Sequence, residues 1–139
     1  KFDSEGLKKQ ILVPRVFGIE DSSRNWSVAM LLTHVAMVTK GIQKIVAALM
    51  EGHSTLPAVE IARLKPEIAS PEESMARFES SLSNYEAFVS NARKLESTIT
   101  HVHPWFGPLS AHDWHCLAGV HLGIHRRQLA SMVALKDRL

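Results

Sequence analysis

Gly52-His53-Ser54-Thr55-Leu56-Pro57-Ala58-Val59-Glu60-Ile61-Ala62-Arg63-Leu64-Lys65-Pro66-Glu67-Ile68-Ala69-Ser70 joins two helical patterns and sets the topology of the chain. Before it, Ser27 is placed to cap a helix whose apolar stripe is Leu31, His34, Val38, Ile42, Ile45 and Leu49, at spacings of three and four. Gly52 stands just past the last apolar position, where a helix can stop in a left-handed turn. After it, Ser70 is an N-cap, Pro71 fills the first helical position and Glu73 follows three residues after the cap. Met75, Phe78, Leu82, Tyr85, Val89, Ala92 and Ile99 then form a core stripe, with Leu95 beside it. Antiparallel neighbours need only a few connecting residues. A connection of this length, broken by Pro57 and Pro66, spans a bundle end to end and makes the flanking helices parallel.

Working outward, His101-Val102-His103-Pro104-Trp105-Phe106-Gly107-Pro108 reads as a short, stiff connection whose aromatics plug a bundle end. Ser110, with Asp113 three residues on, opens a last helix. Its inward stripe is Trp114, Ala118, His121, His125, Gln128, Met132 and Leu135. Toward the N-terminus a first helix is predicted over about Ser4–Val13, with Leu7, Ile11 and Leu12 on one side and Pro14 as its stop. Phe17–Asn25 reads as a loop. The pattern is helical nearly throughout, so the predicted fold is all-α: four helices in one domain, residues 1–139, with the long connection in the middle.

Bulk properties narrow the function. A chain of 139 residues buries a core without staples. A formal charge of +2, carried by scattered basic residues, gives no nucleic-acid footprint. No apolar run is long enough for a bilayer, and Lys1–Glu5 does not open a signal peptide. The sequence starts at Lys1 rather than Met, which suggests that residues are missing from the N-terminus. Cys116 is the single cysteine, which excludes an intramolecular disulfide and fits a reducing cytoplasm.

The histidines carry the chemistry. His121 and His125 lie at i and i+4 and share a helix face, with Cβ atoms about 5–6 Å apart. Both fall on the stripe where a bundle normally places Leu or Ile, and His34 does the same on another helix. A lone histidine on an apolar face is usually a hydrogen-bonded core residue. Three together are different: each buried imidazole leaves nitrogens that cost about 1–3 kcal/mol if unsatisfied, and one cation satisfies all three. Three His ligands leave a fourth position for water or substrate. His34, His121 and His125 are therefore the expected ligands of a divalent ion, with zinc, nickel and iron as candidates.

The remaining residues are weaker. Gln128, one turn past His125, is placed to orient a ligand. Arg126 or Arg127 would steer an anionic group if it faced the site mouth; a solvated face is the commoner fate. His103 would cap a helix end or line the pocket. His53 and His112 are read as solvated, and His115 as surface or rim. Cys116 is read as a small buried hydrophobe with no activating histidine. Trp26, Trp105 and Trp114 read as core, bundle-end packing or pocket wall. Glu20, Asp21 and Asp113 are available carboxylates, but no general base stands out.

These residues together resemble the DinB/YfiT-like superfamily. The resemblance rests on Asn25-Trp26-Ser27, then His34, then His121-x-x-x-His125 with Gln128 after it, and covers about residues 24 to 130. The run His103-Pro104-Trp105-Phe106-Gly107-Pro108-Leu109-Ser110 is similar to that of a branch known as the DUF1569-type domain, of unknown function. The resemblance implies an up-down-down-up four-helix bundle and a divalent metal, often nickel or zinc, on His34, His121 and His125. It further implies homodimers, and relatives that act as S-transferases or isomerases with a low-molecular-weight thiol. The short, proline-interrupted first helix departs from that pattern. Two functions follow as expectations. One is a metal-dependent transferase or hydrolase acting on a small molecule. The other is a non-catalytic metal- or ligand-binding homodimer in a stress response. A bundle whose histidines only pack is the bland third reading, and would hold no metal.

Overall fold

The computed structural model describes residues 2–67 and 69–136. In chain order its elements are α1 (Ser4–Lys8), β1 (Ile11–Leu12), β2 (Asn25–Trp26), α2 (Val28–Met50), α3 (Pro71–Asn91), β3 (His101–His103), β4 (Gly107–Leu109) and α4 (Ala111–Lys136). Two single turns of 3-10 helix, Asp21–Ser23 and Ile61–Leu64, punctuate the loops. The fold is an all-α four-helix bundle whose first helix is reduced to little more than one turn.

α2 is the central element because its sequence is apolar on more than one side. Leu31, His34, Val38, Ile42 and Leu49 are buried as the stripe requires, and Val35 and Val46 widen it. Ile45 is half-buried. The helix starts where Ser27 Oγ accepts from the Met30 N–H at 3.2 Å. It stops at Gly52, whose φ of +82° suits the turn. There the Gly52 N–H donates to Leu49 O at 3.1 Å and the His53 N–H to Ala48 O at 2.9 Å, a Schellman closure.

The long crossover makes α2 and α3 parallel. Thr33, in the second turn of α2, shares a 3.0 Å hydrogen bond with Ser74 in the first turn of α3. At the other ends, Tyr85 and Phe88 of α3 pack on the cluster that holds Leu49. α4 runs the opposite way. Its early residues Trp114 and Ala118 join Val38, Ile42, Val46 and Leu49 in one core cluster. Its late residue Met132 joins Leu31, Leu32 and Val35 in the other. Ser110 and Asp113 cap α4 reciprocally: the Asp113 N–H donates to Ser110 Oγ at 3.3 Å and the Ser110 N–H to Asp113 Oδ2 at 3.0 Å. Among the described residues no helix is long and apolar enough to cross a membrane.

Five local expectations are corrected. The first helix ends at Lys8, not Val13. Ile11 and Val13 are buried while Leu12 between them is 62% exposed, an alternation of period two that only extended backbone delivers. Ile11 and Leu12 pair antiparallel with Trp26 and Asn25, so the predicted Phe17–Asn25 loop ends in a strand. His101–Pro108 is no plain connection: it contributes to a β-hairpin, with His101 opposite Leu109 and His103 opposite Gly107. Its register turns His101 and His103 inward and Val102 outward. α3 ends at Asn91, so Leu95 and Ile99 pack on the core from irregular chain rather than from helix. Met75 is exposed, because Ser74 takes the inward position against Thr33.

Candidate metal centre

α2 brings His34 to the same depth of the bundle at which α4 carries His121 and His125. The three ring nitrogens available as ligands all lie within 4.8 Å of one another. His121 Nε2 is 3.1 Å from His34 Nε2 and 3.1 Å from His125 Nε2. Two donors tetrahedrally disposed on a zinc-sized ion stand about 3.3 Å apart, so this spacing fits a shared cation. The indole of Trp26 lies against two of the rings, 4.9 Å from His34 and 6.3 Å from His125 between centroids. Trp26 is itself fixed by the β1–β2 ladder. The strand missed in the sequence thus steadies the site.

The outer hydrogen bonds decide where the protons sit. His34 Nδ1 is 2.6 Å from Leu64 O, and a carbonyl only accepts, so Nδ1 carries the hydrogen. His125 Nδ1 is 2.8 Å from Gln128 Oε1. Gln128 Nε2 donates to Ser23 O at 2.8 Å, which fixes the amide with its oxygen toward His125. His125 Nδ1 is therefore also the donor. Both neutral rings then present bare Nε2 lone pairs to His121 Nε2. A single proton on His121 can serve only one of those contacts well, and the other remains an acceptor facing an acceptor. A cation at the convergence resolves the conflict, and the arrangement of ring, outer hydrogen bond and locked tautomer is that of metal-ligating histidine.

Charge points the same way. Burial pushes His125 down to about 4, with His34 beside it adding to the shift and the Gln128 hydrogen bond opposing it. Burial, then His125 and His34, lower His121 to about 2. Burial also lowers His34, against the opposing effect of its Leu64 hydrogen bond. All three are neutral imidazoles at pH 7, the form that binds metal.

A cavity of about 650 Å³ opens in front of the triad. Trp26, Val38, Ile42, Leu64 and Ile124 are among its walls, and Phe17, Trp105 and Phe106 are exposed residues on its lining. Gly18 closes one side: its φ is +87°, and a Cβ there would sit 2.6 Å from Ile124 Cδ1.

The other sequence candidates fall as follows. Gln128 is fully buried and bonded to His125. His103 is buried and lines the cavity, with its Nδ1 accepting from the Trp105 N–H at 3.1 Å. Arg126 and Arg127 are exposed and outside the cavity lining, because both point away from the stripe that His125 and Gln128 occupy. The cations at the cavity are Arg63 and Lys65 of the crossover, which the sequence reading passed over. His53 is exposed and 3.1 Å from Glu51 Oε2. His115 Nδ1 receives the Tyr85 hydroxyl at 3.0 Å. Burial, then the nearby Cys116, push that phenol up to about 12. Cys116 is exposed, not buried, and His112 Nδ1 is 3.8 Å from its sulfur, because both stand one turn apart on the outer face of α4. The signals missed were the backbone acceptors Leu64 O and Ser23 O, which no residue type advertises.

No family model matches the chain, and no curated protein matches it. Among solved structures it is similar to the crystal structure of TT2238, a four-helix bundle protein, with a TM-score of 0.54 and 21% identity over 77% of this chain and 72% of that one. That likeness shows the fold.

Proposed function

We propose that this chain is a divalent-metal-binding protein of the DinB/YfiT-like kind, with an open three-histidine site that activates a water or a low-molecular-weight thiol against a small-molecule substrate. The observation that carries the reading is the convergence of three neutral imidazoles whose outer hydrogen bonds leave two bare Nε2 lone pairs facing a third. When bound, a divalent ion supplies Lewis acidity that makes a water or thiol nucleophilic at neutral pH. The protein's own residues do the rest. Leu64 O and Gln128 orient His34 and His125, Trp26 packs against their rings, and mainly apolar cavity walls face the site. The sequence motif around Trp26-Ser27, His34 and His121-x-x-x-His125 supports the family; the bundle fold is compatible with it.

Cobalt(II) titration tests both the site and its openness. One equivalent is expected to give a visible absorption band of four-coordinate type that changes when a small thiol or azide is added. No saturable band would end the metal reading. A band indifferent to added ligand would end the claim of an open position.

A further inference from the structure

The cavity in front of the triad has a chemistry of its own. Its volume, about 650 Å³, lies in the range of small-molecule sites. Its walls are mainly aliphatic and aromatic, and two of its charged residues cancel, with Arg63 Nε 2.8 Å from Glu60 Oε2. Trp105 and Phe106, exposed at the hairpin tip, continue the apolar lining outward. Such a lining favours an apolar body and gives little to a highly charged one.

One polar group in it is fixed. His103 Nδ1 accepts from the Trp105 N–H, so the hydrogen of the neutral ring is on Nε2. The ring cannot easily turn, since it lies against Phe106 at 4.9 Å and Trp114 at 5.3 Å. Among the described residues His101 Nε2 is the sole buried side-chain nitrogen or oxygen without a partner. His103 Nε2 also has no protein acceptor among them, but it is not one of the fully buried atoms, and His103 lines the cavity. A hydrogen-bond donor is thus held ready, on the hairpin, at a wall not contributed by the histidine triad.

We propose that this cavity takes a largely apolar small molecule bearing a carbonyl-type oxygen, and that the His103 Nε2–H is the donor that holds that oxygen. The proposal deepens the metal-site reading and rests on it for the fate of the bound molecule. Binding itself needs no metal, which separates the two. His103 is here a positioning residue, not a ligand of the ion.

The probe is prodan, a dimethylaminonaphthalene ketone whose emission moves to the blue in apolar surroundings and back to the red when its carbonyl accepts a hydrogen bond. It is titrated into the full chain after chelator treatment. Saturable one-to-one binding is expected, with emission to the blue of water. His103→Phe is expected to weaken binding roughly threefold to tenfold, the worth of one hydrogen bond, and to move the bound emission further to the blue. His103→Gln, which restores a donor, should recover both readouts. Ile45→Trp, which fills the cavity from α2, should abolish binding while the helical circular dichroism stays native. Absence of saturable binding in the wild type overturns the proposal. So does a folded His103→Phe protein with unchanged affinity and emission. If cobalt fails to bind but prodan behaves as stated, the metal reading falls and this one stands; the reverse pattern leaves the metal site and removes this ligand class.

Discussion

Replacing Gln128 by leucine separates a metal-tuning role from mere packing. Gln128 is fully buried, and both ends of its amide are used: Oε1 accepts from His125 Nδ1 at 2.8 Å and Nε2 donates to Ser23 O at 2.8 Å. Leucine nearly conserves the volume, so the cavity cost is small. The polar cost is not. His125 Nδ1–H is left buried and unpaired, at about 1–3 kcal/mol, and the part-buried Ser23 carbonyl adds a smaller amount. The sum is about 2–4 kcal/mol of lost stability, measured as a shift in the urea midpoint at constant slope. Without its outer acceptor His125 also loses its locked tautomer, which weakens metal binding about 10–100-fold, read by zinc competition with a chromophoric chelator. Gln128→Glu retains an acceptor for His125 but sets a carboxylate oxygen, another acceptor, against the Ser23 carbonyl. It is expected to bind zinc at least as well as the wild type while still unfolding early. If Gln128→Leu unfolds and binds zinc like the wild type, the assignment of proton positions in the site is wrong.

Three further outcomes are expected. In metal-free protein the buried histidines bind fewer protons folded than unfolded, because burial first, and their neighbours second, hold His125 at about 4 and His121 at about 2. Stability is then whole above the unfolded value near 6.5 and falls as pH drops from there toward 4, by about 2–3 kcal/mol at pH 4.5 for His125 alone; urea midpoints that stay level between pH 7 and 4.5 would contradict this. Gly18→Ala puts a side chain at φ +87° and against Ile124, so thermal unfolding should register a loss of about 1–2 kcal/mol, set more by backbone strain than by the yielding Ile124 tip. Thr33→Val strands the buried Ser74 hydroxyl and should cost about 1–2 kcal/mol in the same assay, whereas Thr33→Val with Ser74→Ala should recover much of it.

The sequence was most legible where a physical constraint repeats. The triad could be read because His34, His121 and His125 occupy places in two apolar stripes of three-and-four spacing. The parallel run of α2 and α3 followed from the length of Gly52–Ser70 alone. Caps at Ser27, Ser70 and Ser110 were visible for the same reason: each is a local rule acting on a few neighbouring residues. The strands were not visible. β1 has two residues, too few for a period of two to stand out from the helical spacing of Leu7, Ile11 and Leu12. In the hairpin, Pro104 and Pro108 masked the alternation of His101, Val102 and His103. The buried Ser74 could not be inferred without knowing that Thr33 faces it. The outer partners of the triad were hidden most fully, since Leu64 and Ser23 contribute backbone carbonyls that depend on the crossover and the Asp21–Ser23 turn being in place.

The proposed function requires that the three histidines together hold one divalent ion. Elemental mass spectrometry tests it most directly, on protein made without a polyhistidine tag or chelator, beside a His34→Ala/His121→Ala variant. Near one zinc, nickel or iron per chain is expected in the wild type and none in the variant. A wild-type chain that carries no metal, even after reloading with each of these ions, would contradict it.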